Sequence, residues 1–186
     1  MKQIFLLLLI SAALSSQLIA QSPNNVVTTD IVNFWEAYDL IQNESDSIKK
    51  VQILDSLYIQ RGTVGLKKIM EVRNYTVGEY VHLINTYPKF FESIRPNTFK
   101  SRDLANKLNA GIDKLAALYP TLKPAKIYFT IGCMRTNGTT RDSLVLIGSE
   151  LAMADPGTDI SEFEGSTREW LAGYFGTNPI DGLVLL

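Results

Sequence analysis

The chain has 186 residues, and 18 lysines and arginines against 19 aspartates and glutamates give a formal net charge of −1. A charge balance this close to neutral gives no strong attraction to nucleic acid or to anionic membrane surfaces, so we expect neither as a partner. Cys133 is the only cysteine in the sequence. No internal disulfide can therefore form, and the hydrophobic core must stabilise the fold without one.

The first twenty residues have the pattern of a secretory signal peptide. Lys2 supplies a positive charge, residues 4–14 form an apolar run, and a segment rich in small residues ends at Ala20. The run is short for a membrane span, and we predict none elsewhere. We therefore expect a signal peptide over residues 1–20 and a flexible polar leader over residues 21–28. The protein is expected to be exported, either to the periplasm or into the medium.

Most of the remaining sequence predicts helices, because apolar residues recur at three- and four-residue spacing. The first helix has one apolar stripe, made of Ile31, Phe34, Trp35, Tyr38 and Ile41. Four more helices are predicted over residues 48–58, 64–73, 77–87 and 101–118, with Thr63 and Thr76 as N-caps of the middle two. Between the last two, Arg95-Pro96-Asn97-Thr98 predicts a turn.

Two short runs in the later part of the chain predict strands. Ile127–Ile131 and Leu144–Ile147 are rich in β-branched and aromatic residues, lack helical spacing, and are each followed by a glycine. Every residue of the second run is apolar, so we expect that strand to be covered on both faces. The predicted class is α+β, with a mainly helical N-terminal part followed by a small antiparallel sheet. Residues 29–186 are expected to form one domain.

A nine-residue polar segment, Cys133–Arg141, connects the two predicted strands. It is longer than a tight hairpin requires, and long loops on a rigid scaffold often carry function. Gly138 and Thr139 near its middle are therefore candidate residues of a substrate cleft. The alternative is an ordinary solvated loop, since loops are polar by default.

A second group of candidate cleft residues lies at the end of the second predicted strand, in Ile147-Gly148-Ser149-Glu150. Gly148 would allow another backbone to approach closely, and a carboxylate beside it at a strand end can line a cleft. Ile147, Gly148 and Glu150 are therefore candidates. The alternative for Glu150 is a solvated turn residue, because most glutamates are exposed.

The sequence predicts neither a catalytic residue nor a metal ligand. His82, the only histidine, lies off the apolar stripe of its helix and is expected to be a solvated surface residue. Cys133 has no assignable basic partner and is expected to be a buried or idle thiol. Near the C-terminus, Ser161 and Glu164 have the spacing of a capping box, and Glu162 is expected to favour the same helix start. The helix that follows is predicted to carry Trp170, Leu171 and Tyr174 on one face.

The end of the sequence is apolar from Ile180 to Leu186, apart from Asp181 and Gly182. An apolar tail gains nothing in water, so two interpretations compete. Either this segment is a last strand of the sheet, or the natural chain continues past Leu186. We expect that it continues, and that residues 29–186 are the N-terminal part of a longer domain.

Several segments resemble a family of exported bacterial proteins, the zinc-dependent proteases of the Bacteroidetes envelope, which are distantly similar to a gliding-motility lipoprotein. The matching segments are Asn33–Asp39, Tyr58–Leu66, Ser93–Thr98, Leu118–Pro120, Ile127–Gly132, Asn137–Thr139 and Leu146–Glu150. The resemblance implies a zincin-like metallopeptidase, in which an antiparallel edge strand pairs with the substrate backbone. A helix carrying His-Glu-x-x-His would bind zinc and activate water.

This sequence departs from that family pattern because it contains no His-Glu-x-x-His. Zinc is therefore expected only if the chain continues into such a helix within about ten residues of Leu186, the length of one short connection. Two functions follow. The first is the N-terminal portion of an exported metallopeptidase that acts on a peptide or protein substrate. The alternative is a non-catalytic envelope binding or assembly module on the same scaffold.

Overall fold

A computed structural model describes residues 24–121, 123 and 125–184. The predicted signal peptide lies outside the described residues. The elements confirm the α+β class. The strands are β1 (Val26–Val27), β2 (Lys126–Thr130), β3 (Gly138–Arg141) and β4 (Leu144–Gly148). The helices are α1 (Thr29–Gln42), α2 (Ser47–Leu54, continued by a π-helical turn Asp55–Ile59), α3 (Val64–Arg73), α4 (Val77–Thr86), α5 (Pro88–Phe99), α6 (Ser101–Leu118), α7 (Ser149–Ala152), α8 (Gly165–Gly176) and α9 (Pro179–Val184).

The strands form a mixed sheet in the order β1-β2-β4-β3. β1, β2 and β4 are parallel to one another, and β3 is antiparallel to β4. The prediction of an antiparallel sheet was therefore wrong for the pair β2 and β4. The reason is β3, which lies inside the predicted connecting loop and forms a hairpin with β4 across Asp142-Ser143. Because β3 runs back along the sheet, β4 runs in the same direction as β2.

The predicted flexible leader over residues 21–28 was wrong at its C-terminal end. Val26 and Val27 pair with Ile127 and Tyr128 as strand β1, and Val26 is only 2% exposed. The segment is fixed further at Asn25, whose backbone N–H donates to the side-chain oxygen of Asn109 on α6 at 3.0 Å. Residues 25–27 therefore belong to the fold.

Helix α1 is the centre of the core, as its apolar stripe predicts. All five residues of the stripe are buried, and Phe34 packs edge-to-face against Trp35 and Tyr58 with ring centroids 5.0 and 5.3 Å apart. Such aromatic pairs add about 0.5–1.5 kcal/mol beyond the area they bury. The predicted caps are also present: Thr63 accepts two N–H groups of α3, and Thr76 forms a capping box with Glu79 on α4.

The turn predicted at residues 95–98 was wrong, because α5 continues through Pro96 to Phe99. A proline within a helix removes one hydrogen bond, so tertiary contacts must outweigh its cost. The Arg95 guanidinium makes a bidentate ion pair with Asp39, at 2.6 and 2.7 Å, and lies 5.0 Å above the Trp35 ring. The indole Nε1–H of Trp35 donates to the Thr98 hydroxyl at 2.9 Å. These contacts hold both sides of Pro96 in the helix.

The sheet packs against α1 and α3 through one face, and Gly65 makes this possible. A Cβ on Gly65 would lie 2.2 Å from the Tyr128 ring, so only glycine allows α3 to approach β2 this closely. The opposite face borders an apolar groove of about 380 Å³ between the sheet, α6 and Leu183 of α9. Val145 in β4 is only half-buried beside this groove. The prediction that the second strand is covered on both faces was therefore wrong at this position.

The C-terminal helices differ from the predictions in two ways. Helix α8 begins at Gly165, and Glu164 makes no capping hydrogen bond with its side chain. Glu162 instead accepts the Phe90 N–H at 3.1 Å, so it caps the first turn of α5 rather than its own helix. Residues 179–184 form a helix, so the alternative of a last strand was wrong there. Among the described residues, no helix combines the length and the apolarity that a membrane crossing requires.

Candidate functional site

The segment Ile131–Asn137, here called the crossing loop, passes over the carboxyl end of β4. It must do so because it connects β2 to β3, and β4 lies between these two strands. The crossing is very close at Gly148, where a Cβ would lie 2.0 Å from the carbonyl oxygen of Thr136. Gly148 therefore allows another backbone to approach, as its position at the strand end predicted.

Glu150 lies directly beneath the crossing loop and is completely buried. Its two carboxylate oxygens accept the backbone N–H groups of Gly132 and Met134, at 2.8 and 2.9 Å. Met134 has a φ of 53°, which is unfavourable for a non-glycine residue and requires support from its surroundings. The interpretation of Glu150 as a solvated turn residue was therefore wrong. Its contacts hold the crossing loop in place.

Burial controls the titration of this carboxyl group. Loss of solvation raises the pKa of Glu150 from its ordinary range to about 8, although the two backbone N–H groups act in the opposite direction. The Tyr75 hydroxyl also lies beside Gly132, close to the Glu150 carboxyl group, and has no hydrogen-bond partner among the described residues. Burial therefore makes the Glu150 carboxyl harder to ionise than that of an exposed glutamate.

Two tyrosines fix the start of the crossing loop. The hydroxyl groups of Tyr58 and Tyr80 both donate to the carbonyl oxygen of Ile131 at 2.6 Å. The Tyr58 oxygen also accepts the Ile131 N–H, at 3.0 Å. Cys133, two residues after Ile131, is 5% exposed, and burial raises the pKa of its thiol. The prediction of a buried thiol is confirmed, and a raised pKa makes the thiolate less available.

The second half of the crossing loop is hydrogen-bonded to residues at the end of α3. Arg135 forms an ion pair with Glu79 and donates to the backbone oxygens of Arg73 and Asn74, at 3.3 and 3.2 Å. The Thr136 hydroxyl accepts a hydrogen bond from Arg73 Nη2 at 3.2 Å. These bonds place the positive charge of Arg73 beside the beginning of β3.

Strand β3 is an edge strand, and its outer side has two different parts. The N–H of Gly148 donates to the Asn137 oxygen at 3.1 Å, so Asn137 directs its backbone oxygen toward β4. In an antiparallel pair this direction alternates along the strand. The backbone groups of Thr139 therefore point toward β4, and those of Gly138 and Thr140 point outward. The Thr136 hydroxyl occupies the outward groups of Gly138: it accepts the N–H at 3.1 Å and donates to the oxygen at 2.7 Å. Thr140 is exposed, and its outward groups face solvent.

Two cavities meet at Gly138. The first, of about 280 Å³, lies between the end of α3, the crossing loop and α8, and its wall includes Arg73 and Trp170. The second, of about 260 Å³, lies between β3 and α9, and its wall includes Ile147. Tyr174 borders both cavities.

The five predicted cleft residues thus lie together but differ in environment. Gly138 borders both cavities and Ile147 borders one, whereas Gly148 and Glu150 support the crossing loop from below. Thr139 lies opposite Leu146 and borders neither cavity.

The sequence interpretation missed Arg73 and misread α8. A basic residue in the last turn of a helix is ordinary, because it favours the helix dipole, so the sequence contains no signal that marks Arg73. Trp170, Leu171 and Tyr174 were predicted to share one helical face. Instead Leu171 and Phe175 enter the core, while Trp170 is 56% exposed and stacks on Tyr174 with ring centroids 5.4 Å apart.

The zinc that the family resemblance implies does not fit the described residues. Among them, no group of three or more histidine, cysteine, aspartate and glutamate side chains is arranged to hold a metal ion. His82 is exposed on α4, and Cys133 is buried beside Glu150. We therefore assign no step to zinc.

Comparison with protein-family models, with curated proteins and with solved structures finds no match to this chain.

Proposed function

We propose that this protein binds an extended polypeptide segment along the outer edge of β3. The observation that carries the proposal is the pair of outward backbone groups on the exposed residue Thr140, in a strand that forms one edge of the sheet. An extended peptide can add to such an edge by main-chain hydrogen bonds, and side-chain cavities then provide specificity. The two cavities that meet at Gly138 are suitably placed for this role.

The rigidity of the edge also supports the proposal. The crossing loop leads directly into β3 and is held by Glu150, by two buried tyrosines and by Arg135. A preorganised edge loses less conformational entropy on binding, which increases affinity. The Thr136 hydroxyl occupies the Gly138 part of the edge, and a longer peptide must displace this contact.

On the family resemblance, we place the chain as the N-terminal, substrate-binding portion of an exported zinc-dependent metallopeptidase. In this role β3 would orient the peptide, and cleavage would require metal ligands other than the described residues. The proposed location of such a protein is the periplasm or the medium.

One observation favours the second candidate, a non-catalytic envelope binding or assembly module. Glu150 is the acidic residue among the five predicted cleft residues, but it is completely buried and both of its oxygens accept N–H groups of the crossing loop. A general base must reach the proton that it removes, and this carboxyl group faces the loop instead. Both candidates share the peptide-binding step.

A proline substitution tests the binding step. Thr140→Pro removes the outward N–H but no ladder hydrogen bond to β4, whereas Thr140→Val changes the side chain and keeps the N–H. The probe is a library of fluorescein-labelled, unstructured decapeptides, and binding is measured by fluorescence anisotropy. We expect library members that bind the wild type and Thr140→Val, with at least about tenfold weaker binding to Thr140→Pro, because an edge hydrogen bond is lost and the proline ring obstructs the edge.

Two results would overturn the proposal. One is equal binding of the same peptides by Thr140→Pro and wild type. The other is the absence of binding by any library member up to about 1 mM, where an interaction would contribute only about 4 kcal/mol.

Mass spectrometry of bound peptides incubated with zinc separates the two candidates, since cleavage supports the metallopeptidase and intact peptides support the binding module.

A further inference from the structure

The cavity between α3, the crossing loop and α8 contains a guanidinium group with unused hydrogen-bonding capacity. Arg73 Nη2 donates to Thr136, but Nε is buried and has no hydrogen-bond partner among the described residues. An unsatisfied buried donor on a charged group is costly, and such a group in a native fold calls for an explanation. A ligand that supplies an acceptor oxygen would satisfy it.

The charge of Arg73 is also unbalanced locally. Within the described part of the chain, the ion pairs include Arg135 with Glu79 but none with Arg73. The negative end of α3 offers Arg73 only a partial charge, and Arg135 also donates to the backbone oxygens of residues 73 and 74 at that end. Among the described residues, Arg73 therefore supplies a positive charge that has no carboxylate partner in the wall of this cavity.

The opposite wall of the same cavity is aromatic. Trp170 is 56% exposed, although an indole ring of this size is usually largely buried. The Tyr174 ring supports it by stacking, and the Asn137 side-chain amide donates to the Tyr174 hydroxyl at 2.7 Å. The amide thus connects the aromatic wall to the residue that precedes β3. An exposed, oriented indole beside a cavity is a common anchor for an apolar side chain.

We propose that this cavity binds a carboxylate group that lies next to an apolar or aromatic side chain. The carboxylate would accept hydrogen bonds from the Arg73 guanidinium, Nε–H included, and the apolar group would lie against Trp170. The inference rests on the proposed function, because it identifies the peptide class that β3 would select. The carboxylate comes either from an acidic side chain or from the free C-terminus of the peptide, and these sources share one chemistry.

Matched peptides and matched variants test this selection. The probes are labelled decapeptides with a Phe-Glu pair, the same peptides with Phe-Gln, and peptides that end in phenylalanine as the free acid or the amide. Arg73→Gln should weaken binding of the acid forms about tenfold or more and leave the neutral forms unchanged. Arg168→Gln is the control, because this substitution makes the same change in net charge. Arg168 is exposed on α8 and does not border the cavity. Thermal unfolding verifies that both variants fold.

The outcomes separate this inference from the proposed function. If Arg73→Gln weakens acid and neutral peptides equally, or if Arg168→Gln has the same effect, the carboxylate site is wrong while peptide binding at β3 stands. If Arg73→Gln weakens binding of the side-chain acids alone, the cavity binds an acidic side chain. If it weakens binding of the C-terminal acids alone, the cavity binds a free C-terminus. If no decapeptide binds, the test continues with N-acetyl-phenylalanine and its amide, which do not need the β3 edge. Arg73-dependent quenching of Trp170 fluorescence by the acid alone supports the site, and equal or absent quenching overturns it.

Discussion

The backbone N–H of Met134 donates to the carboxyl group of Glu150 at 2.9 Å, and this bond supports a residue whose φ is 53°. Glu150 is the second residue of α7, the short helix that follows β4, and Met134 lies in the loop that crosses the end of that strand. A side chain just beyond an inner strand therefore helps to hold the loop that leads into the edge strand. The peptide binding that we propose at β3 would depend on this arrangement.

The first prediction concerns pH. Burial raises the pKa of Glu150 to about 8, above the ordinary value that it has in the unfolded chain. Between these two values the folded state binds more protons than the unfolded state, so the free energy of unfolding falls as pH rises. We expect a loss of roughly 2–4 kcal/mol between about pH 5 and pH 8.5 in urea unfolding.

Glu150→Gln provides the control for the pH prediction. Glutamine does not titrate, so the variant should lack this part of the pH dependence. It should also be less stable than the wild type at about pH 5, because its amide nitrogen cannot accept one of the two backbone N–H groups. A wild-type stability that is constant or rises over this range, or an equal slope in the variant, would contradict the assignment.

The second prediction concerns the closest approach of the crossing loop. Gly148→Ala would place a Cβ 2.0 Å from the Thr136 carbonyl oxygen, which is a backbone atom and cannot rotate away. We expect a loss of about 2–4 kcal/mol in the free energy of unfolding, together with weaker peptide binding, because the loop must move. Gly173→Ala is the matched control, since nothing lies within 4 Å of a Cβ there. Equal stabilities of the two variants would refute the close crossing.

The third prediction compares two tyrosines that share one acceptor. Tyr80→Phe removes one hydrogen bond to the Ile131 oxygen, and Tyr58 still occupies that oxygen. Tyr58→Phe removes a second bond as well, because the Tyr58 oxygen accepts the buried Ile131 N–H. We expect Tyr58→Phe to cost about 1–2 kcal/mol more than Tyr80→Phe in chemical denaturation. The reverse order would show that the N–H finds another acceptor.

The sequence predicted those elements whose cause is local. The stripe of α1, the caps Thr63 and Thr76, and the two apolar strands all depend on residues within a few positions of one another. Gly148 was recognised for the same reason, as a glycine that ends a buried strand. These patterns were sufficient to indicate an α+β fold and where the loop between strands lies.

The missed features depend on distant contacts. β1 contains only Val26 and Val27, and its partner in the sheet lies about a hundred positions away. β3 has the sequence Gly-Thr-Thr-Arg, which lacks apolar alternation because its outer side faces solvent. α5 contains Pro96, and contacts of Arg95 and Thr98 with α1 help to hold the helix on both sides of it. A single sequence does not reveal which distant segments supply these partners.

The burial of Glu150 was missed for a different reason. A glutamate after a strand is exposed in most proteins, and only the return of the loop over β4 covers this one. The cavity beside α8 was missed because the spacing of Trp170 and Tyr174 resembles that of a buried stripe. In the structure these two rings stack on each other outside the core. In both cases topology, rather than residue type, decides the environment.

Hydrogen exchange at the edge strand tests peptide binding at β3 most directly. The Thr140 N–H points outward from the edge, whereas the Thr139 N–H points toward β4 and serves as an internal control. Exchange of both amides is measured by NMR in the free protein and in the protein saturated with the decapeptide that binds best. The account predicts that exchange at Thr140 slows about tenfold or more while exchange at Thr139 changes little. Unchanged exchange at Thr140 in the saturated complex would show that the peptide binds elsewhere and would contradict the account.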